Sequence, residues 1–203
     1  MLRLVQRLDE HSLSTQSREV NGRSILSEHE QWLVLLSRAL YETGQMSECI
    51  VRADLGIATY PKALAFHRIK ALATTEHVSP EEGLKQLEQA HSRFPRQRYL
   101  EQDIARLHRR RGNPEAALRW YCEAAESPRD ISGRITMFEE MADLLSETGR
   151  WQEAGDHLKL SWAIAVREGW QKRADKVGQQ LKDPASSHPT DILDPGGADL
   201  TFG

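Results

Sequence analysis

The sequence predicts an all-α protein built from repeated helix–turn–helix units. Three observations point there. Prolines close two segments 34 residues apart, Pro61 in GIATYP and Pro95 in AHSRFP. Glycines keep the same phase: Gly44 and Gly112 stand 68 residues apart, twice that period, and Gly149 follows 37 residues on. Glycine suits a helix end where the backbone must take positive φ, and proline stops the helix after it. Between these marks the apolar period is helical, as in Leu33, Leu36 and Leu40 around Ser37, and in Phe138, Met141, Ala142 and Leu145. No stretch alternates as a half-buried strand does, so no strands are expected.

The elements follow in order. Residues 1–29 are expected to be an N-terminal helical extension, with Leu2, Val5 and Leu8 on one face. Four units then span 30–63, 64–97, 98–134 and 135–168. In the second unit, strict phase puts His67, Lys70 and Thr74 at apolar places, whereas a register one residue earlier puts Phe66, Ile69 and Ala73 there. That shift lengthens the turn, and SPEEG opens the next helix: Ser79 caps it, Pro80 is its first residue, and Glu81 and Glu82 meet its positive end. In the third unit Arg109, Arg110 and Arg111 end a helix, Gly112 turns the chain, Asn113 caps the next helix and Pro114 starts it. About three extra residues fall in SPRDISGR, 127–134. Residues 169–182, GWQKRADKVGQQLK, suit a capping helix with a polar outer face. The last 21 residues carry four Asp, no Lys or Arg, and several Pro and Gly, the composition of a disordered acidic tail over 183–203.

These residues resemble the tetratricopeptide repeat (TPR), a 34-residue unit with small and large residues at fixed places. In the first unit Leu33, Leu36, Ser37, Leu40, Gly44, Cys49, Ala53, Gly56 and Pro61 stand at signature positions. In the third they are Glu101, Ile104, Ala105, His108, Gly112, Ala117, Tyr121 and Ala124, with Pro128 one residue early. In the fourth they are Phe138, Met141, Ala142, Leu145, Gly149, Trp151, Ala154, Leu158 and Ser161. The resemblance covers roughly 140 of the 203 residues. It implies a right-handed superhelical solenoid whose first helices line a concave, ligand-bearing surface.

Composition limits the functions to consider. Hydrophobic residues are 39% and charged residues 28%, a water-soluble balance with a modest core. A net charge of −3 advertises no basic field for nucleic acid. No apolar run nears the roughly 18 residues that span a bilayer, and MLRLVQRLDEHSL is too charged for a secretory leader. Two cysteines, Cys49 and Cys122, make neither a disulfide framework nor a CxxC pair, so a reducing, cytoplasmic setting is expected. Phosphate-loop, dinucleotide, nucleophile-elbow and zinc-helix signatures are missing, so no enzyme, cofactor or metal is expected.

The resemblance assigns the binding residues. Its groove positions fall on Arg38 and Tyr41 in the first unit, Arg68 in the second, Tyr99, Gln102, Arg106 and Arg109 in the third, and Glu139 and Asp143 in the fourth. The arginines suggest carboxylate recognition through charge-assisted hydrogen bonds. The expected function is an adaptor that binds a protein segment with acidic residues. A regulatory subunit, a secretion-type chaperone and a nucleic-acid-binding repeat are the alternatives, and self-association through Trp162 and Trp170 is compatible with the pattern.

Overall fold

A computed structural model describes residues 18–20, 23–25, 27–126 and 131–182. The acidic tail and the helix expected around Leu2, Val5 and Leu8 lie outside the described residues. One expectation is corrected at once. Two strands, β1 (Arg18–Val20) and β2 (Arg23–Ile25), pair antiparallel with Val20 opposite Arg23. The sequence carried the signal, because Asn21-Gly22 is the dipeptide most favoured between hairpin strands. Three-residue strands are too short to show as alternation.

Nine helices follow among the described residues: α1 (Glu28–Glu42), α2 (Met46–Thr59), α3 (Leu64–His77), α4 (Pro80–Arg93), α5 (Arg98–Arg110), α6 (Pro114–Ala125), α7 (Ile131–Glu147), α8 (Trp151–Arg167) and α9 (Gln171–Lys182). The expected punctuation holds. Gly44, Gly112, Gly149 and Gly169 all have positive φ, between 71° and 77°. They follow α1, α5, α7 and α8, and the amide just beyond each bonds back into the preceding helix, as in Asn113 N–H to the His108 carbonyl at 2.9 Å. Helices α2 and α4 end two residues before Pro61 and Pro95.

The chain divides into two compact units at Ser92–Arg93. In the first, Leu33, Leu36 and Leu40 of α1 pack with Cys49 of α2 and with Phe66, Ile69 and Ala73 of α3. The one-residue shift of the second repeat is therefore the register observed, with Phe66, Ile69 and Ala73 buried and His67 and Lys70 only half-buried. Small residues allow the close packing. A Cβ on Gly56 would overlap the Phe66 ring, and one on Gly83 would overlap Thr75 Oγ1. The cap at Ser79 is present, its hydroxyl accepting from Glu82 N–H at 3.1 Å. At the start of α1 the Ser27 hydroxyl accepts from Glu30 N–H at 3.1 Å and donates to Tyr60 Oη at 3.2 Å, and His29 Nδ1 meets the same Oη at 2.8 Å.

In the second unit, Ala105 of α5, Ala117, Tyr121 and Ala124 of α6 and Met137, Met141 and Leu144 of α7 form one cluster. Ala142 and Leu145 of α7 join Ala154 and Leu158 of α8 and Val177 of α9 in another. One local expectation is corrected. Asn113 stands at the N-cap of α6, but its side chain accepts no capping hydrogen bond. Helix α7 starts at Ile131, within SPRDISGR where the extra residues of the third unit fall, and includes Gly133. A Cβ there would clash with the Arg98 guanidinium of α5, so this glycine admits a side chain rather than breaking a helix.

Between α4 and α5 the residues 94–97 are not helical, and Arg93 and Arg96 are exposed. Among the described residues Arg96 is the non-glycine residue with positive φ, at 59°.

Candidate functional site

The expected binding residues do not form one set of free side chains. In the first unit, Arg38 bonds along its own helix, Nε to Glu42 Oε1 at 2.7 Å. Tyr41 is half-buried against the α1–α3 core. Arg68 is 3% exposed and therefore mostly inside. In the second unit Gln102 is buried and accepts from Arg98 Nη1 at 3.4 Å, while the Arg98 guanidinium lies 4.1 Å from the centroid of the half-buried Tyr99 ring.

The remaining four, Arg106, Arg109, Glu139 and Asp143, come together on one polar face. Helix α7 builds its centre. At 3.6 residues per turn, Ser132, Thr136, Glu139, Glu140, Asp143 and Glu147 fall within about 100° of arc. The opposite arc carries Met137, Met141, Leu144 and Leu145, all buried. Helix α5 flanks the stripe on one side. Arg106 donates to Glu140 Oε1 from Nη2 at 2.5 Å and from Nε at 3.2 Å. Arg109 donates from Nε to Glu147 Oε2 at 3.1 Å, from Nη1 to Glu140 Oε2 at 3.4 Å, and from Nη2 to Glu147 Oε1. From below, the buried Tyr121 hydroxyl of α6 donates to Glu140 Oε2 at 3.1 Å. Helix α9 flanks the other side. Arg173 donates to Glu139 Oε1 at 2.9 Å and Oε2 at 3.3 Å, and to Thr136 Oγ1 at 2.8 Å. Ser161 of α8 also donates to Glu139, at 3.2 Å.

The electrostatics follow from this pairing. Burial opposes the charge on Arg106 and Arg109, but Glu140 and Glu147 outweigh it and hold both guanidiniums more firmly protonated than usual. Burial, reinforced by Glu140, lifts the Tyr121 phenol well above its ordinary range. Asp143 differs from its neighbours. It lies in the middle of the stripe, and no described residue hydrogen-bonds its carboxylate. Burial pushes its pKa up to about 6, with Arg109 opposing and Glu140, Glu139 and Glu147 adding to the rise. Glu139, Glu140 and Glu147 are thus taken up by Arg106, Arg109 and Arg173, with the buried Asp103 also acting on Arg106, and Asp143 is the carboxylate of α7 left without a hydrogen bond.

Sequence reasoning missed Arg173, yet a signal existed. Arg173 pairs with Glu139 and Arg106 with Glu140, both at a separation of 34 residues, the repeat period itself. Opposite charges one period apart on successive first helices are placed to touch. The arginine-rich stretch at 106–111 is correspondingly not a bare cationic patch, since Arg106 and Arg109 are spent within the unit. Cys49 is buried, donates to the Ser37 carbonyl at 3.2 Å, and has its pKa pushed up to about 12 by burial. Cys122 is exposed, and burial and Glu126 raise its pKa too, so neither thiol is activated.

At the N-terminal end of the same stripe lies an open depression of about 480 Å³, lined by Ser132 of α7 and by Trp170, Gln171, Lys172 and Arg173. No described helix is long and apolar enough to cross a membrane.

No family model matches the sequence, and no curated protein matches it. Solved structures do match. PilF of Pseudomonas aeruginosa superposes with a TM-score of 0.60 at 12% identity, over 78% of this chain and 77% of that one. The nearly identical TPR-like repeats of a protein described as a kinesin light chain from Podosopora anserina superpose at 0.56 and 17% identity, over 75% and 92%. MamA of Desulfovibrio magneticus RS-1 superposes at 0.56 and 12%, over 68% and 76%. The fold is therefore that of the tetratricopeptide-repeat proteins, an all-α array of helix–turn–helix units.

Proposed function

We propose that this protein is a non-enzymatic interaction scaffold that holds an extended segment of a partner protein along the polar face of α5, α7 and α9. One observation carries the reading: successive first helices of the repeats present a continuous polar stripe whose side chains are locked by inter-helix ion pairs. A surface fixed before binding spends little conformational entropy on a ligand. No nucleophile–base pair stands on this face among the described residues, and both thiols are held in their unreactive form.

The expected preference for acidic segments gains no support from the pairing. An acidic ligand would reach Arg106 and Arg109 only by displacing Glu140 and Glu147. Phosphate backbones meet the same obstacle, and their binding would show a steep salt dependence. A photocrosslinking residue placed at Tyr99 or Thr136 should capture the partner from a native extract, and one at Lys159 on the outer side of α8 should not. Capture from Lys159 alone would overturn the assignment of the face.

A further inference from the structure

Two features of the α5–α7–α9 face are left without an internal partner. One is Asp143, whose carboxylate receives no hydrogen bond from a described residue. The charges that act on it are those of Arg109 on α5 and of Glu139, Glu140 and Glu147 on α7. Arg106, Tyr121 and Arg173 bond to these glutamates, and the buried Asp103 of α5 acts on Arg106, so that carboxylates outnumber arginines on this face. The other is the open depression of about 480 Å³ lined by Ser132, Trp170, Gln171, Lys172 and Arg173. Trp170 is 36% exposed, which is costly for a side chain of that size unless something covers it.

Both features lie on one line. Ser132, which lines the depression, and Asp143 share the stripe of α7, eleven residues apart. At 1.5 Å per residue this is about 16 Å. An extended peptide advancing about 3.3 Å per residue covers that distance in roughly five residues. Arg173 lines the depression and bonds to Thr136 and Glu139, which stand between the two features on the stripe.

We infer that the partner segment carries a large apolar side chain, seated against Trp170, and a lysine or arginine about five residues away, bound by Asp143. This deepens the interaction-scaffold reading and rests on it. The charge argument decides the sign of the ligand. A cation satisfies the stripe's unpaired acid and displaces nothing, whereas an anion must break the Arg106–Glu140 or Arg109–Glu147 pairs. The elevated pKa of Asp143 fits a group waiting for a cation, because a bound ammonium or guanidinium would return it toward the ordinary carboxylate range.

The test uses a random peptide library displayed on phage, panned against the full chain at neutral pH. Selected sequences should be enriched in an aromatic or large aliphatic residue with Lys or Arg four to six positions away, as the roughly 16 Å span requires. Synthetic versions should bind Asp143→Asn about tenfold more weakly, the size of one charge-assisted contact. Asp143→Glu should restore part of the loss, and Trp170→Ala should abolish the apolar preference while the basic one persists. Circular dichroism confirms that each variant is folded. Peptides that lose binding on Thr136→Arg but are acidic, or are indifferent to Asp143→Asn, would overturn the inference and leave the scaffold reading standing. Peptides indifferent to Thr136→Arg, Asp143→Asn and Trp170→Ala alike would overturn both, as would a panning that enriches nothing.

Discussion

Asp143 is a carboxylate whose charge costs the fold stability. An acid that is hard to ionise in the fold gains its proton early as pH falls. Its folded pKa of about 6 lies above the ordinary 3.8, so the cost of ionising it is fully present above pH 6 and absent below about pH 4. Asp143→Asn removes that cost. At pH 7 the variant should be more stable than the parent by about 1–2 kcal/mol, after discounting for solvent screening. The gap should close as pH drops through the window from 6 to 4. Thermal melts at pH 7 and pH 4 check this, and a variant less stable at pH 7 would show that the carboxylate has a structural partner. Sequence alone made Asp143 legible as a surface position of the repeat, but not its isolation. That isolation depends on which carboxylates capture the arginines, a competition settled by side-chain reach across helices.

At the scale of the element, glycine plays opposite parts within helices. Gly56 lies under the Phe66 ring, and any Cβ must push into it. Gly155 of α8 has nothing within 4 Å of where its Cβ would stand. Gly155→Ala should therefore raise stability by about 0.5–1 kcal/mol, the helix preference of alanine over glycine. Gly56→Ala should lower it by about 1–3 kcal/mol through overpacking, despite the same gain in propensity. Denaturant titration of the two variants separates the effects, and like signs would contradict the packing. Most elements were readable because turn glycines and closing prolines mark repeat phase by backbone sterics, which act locally. Where the reading failed, a neighbour decided. The place of Gly133 was not legible because its reason, room for Arg98, comes from another helix. The strands Arg18–Val20 and Arg23–Ile25 escaped because three residues are too few to show an alternating pattern.

At the scale of the molecule, the polar stripe belongs wholly to the unit that follows Arg93, and the buried core of α1, α2 and α3 belongs to the unit before it. The non-helical residues 94–97 join the two. They hold an arginine in the left-handed region, and the exposed Arg93–Phe94 and Arg96–Gln97 bonds are of the kind trypsin cuts. Exposed backbone outside regular structure is where proteases gain a hold. Brief digestion should cleave within this segment before any arginine of α5 or α7, and mass spectrometry of the products would locate the cut. Survival of the segment while helical arginines are cleaved would refute this. The joint is thus a point at which a single backbone cut separates the unit that carries the α5–α7–α9 face from the unit before it.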